Sequence, residues 1–123
     1  MGVQIASNLD RQSEDVSGAK TLDAGDSGVV QNVTASATIT LPATAVNLVY
    51  TIRNGGTGET DGAVTVTVSP NANDNIAGNG LTAADNKDVI NTLGRAGDEI
   101  TLIGNGVGGW NVASVTGTWT REA

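Results

Sequence analysis

The chain contains no cysteine, no histidine and no phenylalanine. Without thiols there is no disulfide framework and no thiolate metal site. Without imidazole, Ser/His/Asp triads, Cys/His pairs and the usual zinc sites are excluded as well. Aromatic residues are limited to Tyr50, Trp110 and Trp119, so the core must be built from Val, Ile, Leu and Ala. Each of these side chains buries only a modest area, which favours added stabilisation through oligomerisation or docking. Basic residues are also scarce: 6 Lys and Arg stand against 13 Asp and Glu, a net charge of −7. They never cluster, so the concentrated positive face that nucleic acid requires is missing, and the acidity reads as a solubility feature. No apolar run approaches the roughly 18 residues that a membrane helix needs. "MGVQIASNLDRQSED" lacks the basic, apolar, small-residue order of a signal peptide, so synthesis in the cytoplasm and no membrane partner are expected.

What the sequence does contain is β texture. A chain of 123 residues has room for one ordinary domain. Residues 1–19 show no sustained period and are expected to form an extended arm, with Val3, Ile5 and Leu9 as apolar anchors on a neighbour. From Lys20 to Ala123, short β-branched runs alternate with Gly, Asn and Asp. Candidate strands are "VVQNV", "ATITLP", "LVYTIRN" (48–54), "AVTVTVS" (63–69), "DEITLIGN" and "GWNVASVTGTWT". The two runs at 48–54 and 63–69 are expected to pair as a hairpin across the "GGTGETDG" loop, and the last two as a second hairpin with Gly104, Gly106, Gly108 and Gly109 at its tip. "LTAADNKDVINTLG" is the one stretch that suits either a short helix or a strand. No fixed-period repeat is visible, which argues against a solenoid. The expected fold is therefore all-β: an antiparallel β-sandwich or jelly-roll-like domain over 20–123, preceded by the arm.

Each stretch that suggests chemistry has a simpler structural reading. Asp98 and Glu99 are adjacent carboxylates, but neighbours on a strand point to opposite faces and cannot act together across a cleft. Asp23 and Asp26 flank a glycine turn. "NANDN" (71–75) has oxygen ligands at alternate positions but a single carboxylate and no bidentate Glu in register, so an Asn-rich turn accounts for it better than calcium. "GNGVGG" (104–109) is followed by a strand pattern, whereas a dinucleotide fingerprint needs a helix. No catalytic residue, cofactor site or metal site is expected, and the chain is read as a non-enzyme. Trp110, just behind Gly108 and Gly109, is expected to plug the glycine tip. Trp119 and Arg121, near the C-terminus, are expected at an interface. Stacking of the tryptophans on sugar rings is the competing possibility.

In order, "ITLPAT", "YTIRNGG", "VTVSPNANDNIAG", "GDEITLIGNGVGGW" and "GTWTREA" resemble small bacteriophage virion proteins, namely head decoration or cement proteins and the related β-domains of tail fibres. The resemblance spans roughly residues 30–123. It implies a structural protein on the outer capsid surface, which binds the major capsid protein and staples neighbouring subunits as a homo-oligomer, with a trimer favoured and a dimer possible. Thr-rich strand edges such as "TVTVS" would then supply an oligomer contact. A cement protein should be a short chain with an ordered arm. A tail-fibre or head-fibre domain for host attachment, normally the end of a longer chain, is the alternative, alongside a carbohydrate-binding β-domain.

Overall fold

A computed structural model describes residues 12–56 and 62–123. Eleven strands run in chain order among these residues: β1 (Ser13–Val16), β2 (Lys20–Thr21), β3 (Val30–Val33), β4 (Ala37–Thr40), β5 (Val49–Asn54), β6 (Val66–Ser69), β7 (Asn75–Ala77), β8 (Val89–Asn91), β9 (Glu99–Gly104), β10 (Gly109–Thr116) and β11 (Trp119–Arg121). Among the described residues the one helical element is a 3-10 turn, Ala24–Asp26. Its start is fixed by a capping box: Asp23 accepts from the Gly25 amide at 2.9 Å while its own amide donates to Asp26 at 3.0 Å. The chain is all-β, and the ambiguous stretch around Val89 settles as strand β8.

Two mixed sheets form, ordered β1-β3-β5-β9-β10-β7 and β11-β8-β6-β4-β2. From β1 to β6 successive strands alternate between the sheets, so each lies parallel to the strand two places before it. The first half of the chain therefore coils. Ser13 pairs with Val30 and Val30 with Thr51, while Lys20 pairs with Ile39 and Ala37 with Val66. The rungs differ in length, which explains why no fixed period is visible in the sequence although the stacking resembles that of a solenoid. Five of the nine pairings among the described residues are parallel, so the expectation of purely antiparallel sheets is corrected.

The expected hairpin between 48–54 and 63–69 does not form. β5 lies between β3 and β9 in one sheet, and β6 between β4 and β8 in the other. Period-two alternation requires one buried face on each strand, and facing each other across the core satisfies this as well as lying side by side. The same placement removes "TVTVS" as a free edge, because both sides of β6 are already paired. The second hairpin does form: β9 and β10 pair antiparallel from Trp110 opposite Gly104 to Thr116 opposite Glu99, with a register shift between Val112 and Ser114.

The inner faces meet in one apolar core. One sheet supplies Val33, Tyr50, Ile52, Ile100, Leu102 and Trp110, and the other Ile39, Val66, Val68, Val89 and Trp119. Trp110 packs on Tyr50 with ring centroids 5.4 Å apart and planes tilted by 52°. Ser13–Val16, assigned to the arm from sequence, is the edge strand beside β3, with Val16 buried.

Candidate interaction surface

One end of the fold is assembled from three separate stretches of chain. In the β9–β10 connection, the Asn105 side-chain oxygen accepts from the amides of Val107, Gly108 and Gly109 at 2.8, 2.9 and 3.0 Å. The Asn105 amide donates back to the Gly109 carbonyl at 3.0 Å, closing the loop on itself. From the β4–β5 connection, the Thr44 hydroxyl donates to the Gly109 carbonyl and accepts from the Gly106 amide at 3.1 Å. The Thr44 amide in turn donates to Asp74, just before β7, at 2.9 Å. We call this end the apex. The amides of Thr44, Asn105, Gly106, Val107, Gly108 and Gly109 are thus all satisfied internally, which restrains the tip.

The apex presents apolar side chains to solvent. Val107 is 92% exposed and Val46 is 62% exposed. Val46 lies against Gly106, where an added Cβ would come within 3.1 Å of its methyl group. Ile103, 41% exposed, is on the outer face of β9 opposite half-buried Val49 on β5 and Asn111 on β10. One row further along, the same face carries Thr51 and Thr101, joined through their hydroxyls at 3.0 Å.

A row of polar and charged residues crosses this face at its far end. Asp15, Asn32, Arg53, Glu99 and Thr116 stand in register across β1, β3, β5, β9 and β10, and Asn32 donates to Asp15 at 3.0 Å. An open hollow of about 390 Å³ there is lined by Ser13, Val30, Asn32, Arg53 and Glu99. Its lining is one cation, one carboxylate, two small polar side chains and a valine.

Two further polar clusters hold the body together. Asn54, Asn91 and Asp98 form a buried relay: Asn54 donates to Asn91 at 3.0 Å, and Asn91 donates to Asp98 at 3.0 Å and to the Thr118 carbonyl at 3.1 Å. Asp98 also accepts from the Arg95 amide at 3.0 Å, so it closes a turn while Glu99 joins the outer face. At the first rung, the Lys20 ammonium bridges Glu14, Asp26 and the Gln31 side chain. Burial alone would lower the Lys20 pKa, but hydrogen bonds and charge attraction from Glu14 and Asp26 raise it above the usual lysine value. Burial would raise the Asp26 pKa, yet the Asp23 backbone and Lys20 hold it below the usual carboxylate value. Tyr50 donates to the Asp23 carbonyl at 2.7 Å, and burial followed by the charges of Asp26 and Asp23 pushes its phenol pKa up.

Of the residues singled out from sequence, Gly108, Gly109 and Trp110 meet at the apex, with Trp110 fully buried behind the tip. Trp119 is 7% exposed, sits in the core and donates from its indole to the Thr116 carbonyl at 2.9 Å. Its ring is covered by its own chain, which leaves little of it for an interface. Arg121, on the edge strand β11, is half-buried and its guanidinium donates to the Glu122 carbonyl at 3.3 Å. Val3, Ile5 and Leu9 lie outside the described residues. Sequence reasoning missed Thr44, Val46 and Asn105. An asparagine between two glycines was the available signal for Asn105, whereas nothing local marks Thr44. "NANDN" forms a turn in which Asn73 takes a positive φ, and no group of three carboxylates placed to hold a metal occurs among the described residues.

No family model, curated protein or solved structure matches this chain.

Proposed function

We propose that this chain is a non-enzymatic structural protein of a bacteriophage virion, built on a β-sandwich body. It binds the outer surface of the capsid as a homo-oligomer and cements neighbouring major capsid subunits. The apex is the observation that carries this reading, through its oligomeric part. The stretches that resemble virion proteins, "ITLPAT", "SPNANDNIAG" and "GNGVGG", are far apart in sequence yet hydrogen-bond into one rigid end that exposes valines. Rigid apolar projections suit assembly between macromolecules, where pre-ordering lowers the entropy lost on contact. Multivalent attachment then favours shells whose subunits stand at the mature spacing.

A sugar-binding role loses its support, because Tyr50, Trp110 and Trp119 are all buried and the sequence has no other aromatic residue to stack on a ring. The fibre-domain reading keeps one specific observation in its favour. Among the described residues the coil is open at its first rung, where β1 and β2 each have a strand on one side only, so further rungs could stack there.

Co-sedimentation of the purified protein with matching mature capsids and with procapsids tests the proposal. Binding to mature shells, and weaker binding to procapsids, is the expected result. Failure to bind either would overturn it.

A further inference from the structure

We propose that the apex is the surface on which copies of this chain associate with one another, the capsid being met elsewhere. This deepens the proposed function and rests on its oligomeric part.

The sheet edges are poor places for copies to meet. β2 has two residues, and β7 and β11 have three each. β1 is longer but carries Glu14 and Asp15, and Lys20 sits on β2. Short strands and edge charges are the devices that block edge-to-edge pairing. These four edges are therefore disfavoured, and beyond Asn111 β10 has a paired neighbour, β9, on one side only among the described residues, so that single open stretch is what competes with the apex side chains.

Charge then selects the face. Two copies each carrying −7 repel, so they approach most easily where neither presents charge. Residues 27–52 and 100–120 contain no Asp, Glu, Lys or Arg, and they supply the apex loops and the adjoining outer face: Val46, Val49, Ile103, Val107 and Asn111. Two carboxylates border the apex: Asp74, tied to the Thr44 amide at 2.9 Å, and exposed Asp85, which accepts from the Asn75 side chain at 3.5 Å. A capsid partner for an acidic chain would be steered by charge complementarity, which this surface does not offer. A second copy of the same chain needs none. Contact through a shared patch about a rotation axis also closes, as point-group symmetry requires.

Sedimentation velocity over about 1 to 300 µM provides the test, on the wild type, Val107→Asp, the double variant Val46→Asp/Val107→Asp, and Leu93→Asp. Val46 and Val107 are largely exposed, so these variants should keep the wild-type circular dichroism spectrum and melting curve. The wild type is expected to self-associate, the double variant to do so about a hundredfold more weakly because like charges would face each other, and Leu93→Asp to match the wild type. Leu93 is 76% exposed but lies in the turn after β8, away from the apex loops, and serves as the control for an exposed apolar residue. A wild type that stays monomeric throughout, or a double variant that oligomerises like the wild type, would overturn the inference. Capsid binding by a monomeric wild type would sink this inference alone; an apex-dependent oligomer that ignores capsids would sink the virion reading alone.

Discussion

Gly108 and Gly109 are neighbours in sequence, yet the structure gives them opposite sensitivities to the same substitution. At Gly108 an added Cβ would meet only the Asn75 side-chain nitrogen, at 3.5 Å, an ordinary contact. At Gly109, where φ is +154°, a Cβ would overlap the Asn75 carbonyl oxygen and lie 2.5 Å from the Asn75 nitrogen, both of them backbone atoms. Relief requires β7 and β10 to move apart. Their ladder is three residues long, Gly109, Trp110 and Asn111 opposite Asn75, Ile76 and Ala77, and the Asn75 amide donates to the Gly108 carbonyl at 3.0 Å beside it. Losing two or three backbone hydrogen bonds at about 1 kcal/mol each, with about 1 kcal/mol of disturbed packing around Ile76 and Trp110, gives a destabilisation of roughly 3–4 kcal/mol. For a domain of this size that is a melting-temperature loss on the order of 10 °C. Gly108→Ala should stay within about 0.5 kcal/mol of the wild type. Urea denaturation and thermal melts followed by circular dichroism measure both variants. If the two differ by less than about 1 kcal/mol, the close approach of β7 to the tip is not what fixes Gly109.

Asn91→Ala should destabilise the fold by about 3 kcal/mol, because it takes the acceptor from one Asn54 N–H, leaving that group only its bond to the Val64 carbonyl, and removes a donor from buried Asp98; a loss under about 1 kcal/mol in urea denaturation would show that the relay adds little. The first-rung clamp predicts a pH dependence with two arms. Since the Asp26 pKa is lowered in the folded chain, its stabilisation is complete above the ordinary value of 3.8 and fades as pH falls through the folded value. Since the Lys20 pKa is raised, its contribution is complete below 10.5 and is lost as pH rises through the folded value. Melting temperature measured against pH should therefore fall less steeply on the acid side for Asp26→Asn than for the wild type, and equal slopes would refute the assignment.

Local features of the fold were legible because local chemistry decides them. The alternation of Ile100 and Leu102 with Thr101 and Ile103, and the glycines that follow, specify a half-buried hairpin whatever surrounds it. The turn around Gly25 is likewise fixed by the capping reach of Asp23 and Asp26. Strand neighbours were not legible. β5 and β6 each bury alternate residues, and the same pattern would serve a hairpin or two facing strands, so the loop between them misled. At the apex, Asn105 could be anticipated from its glycine neighbours, but Thr44 reaches Gly109 across 65 residues and Asp74 reaches Thr44 across 30.

By itself the sequence determined that the chain is all-β, acidic, thiol-free and poor in aromatics, because composition and period-two burial do not depend on which strand lies beside which. The tertiary structure alone decided that the first six strands coil between two sheets, that Trp119 is a core residue, and that valines from two distant loops share one apex. These outcomes depend on long-range pairing, where backbone hydrogen bonds are alike for every candidate neighbour and the choice falls to how the whole set of inner faces packs.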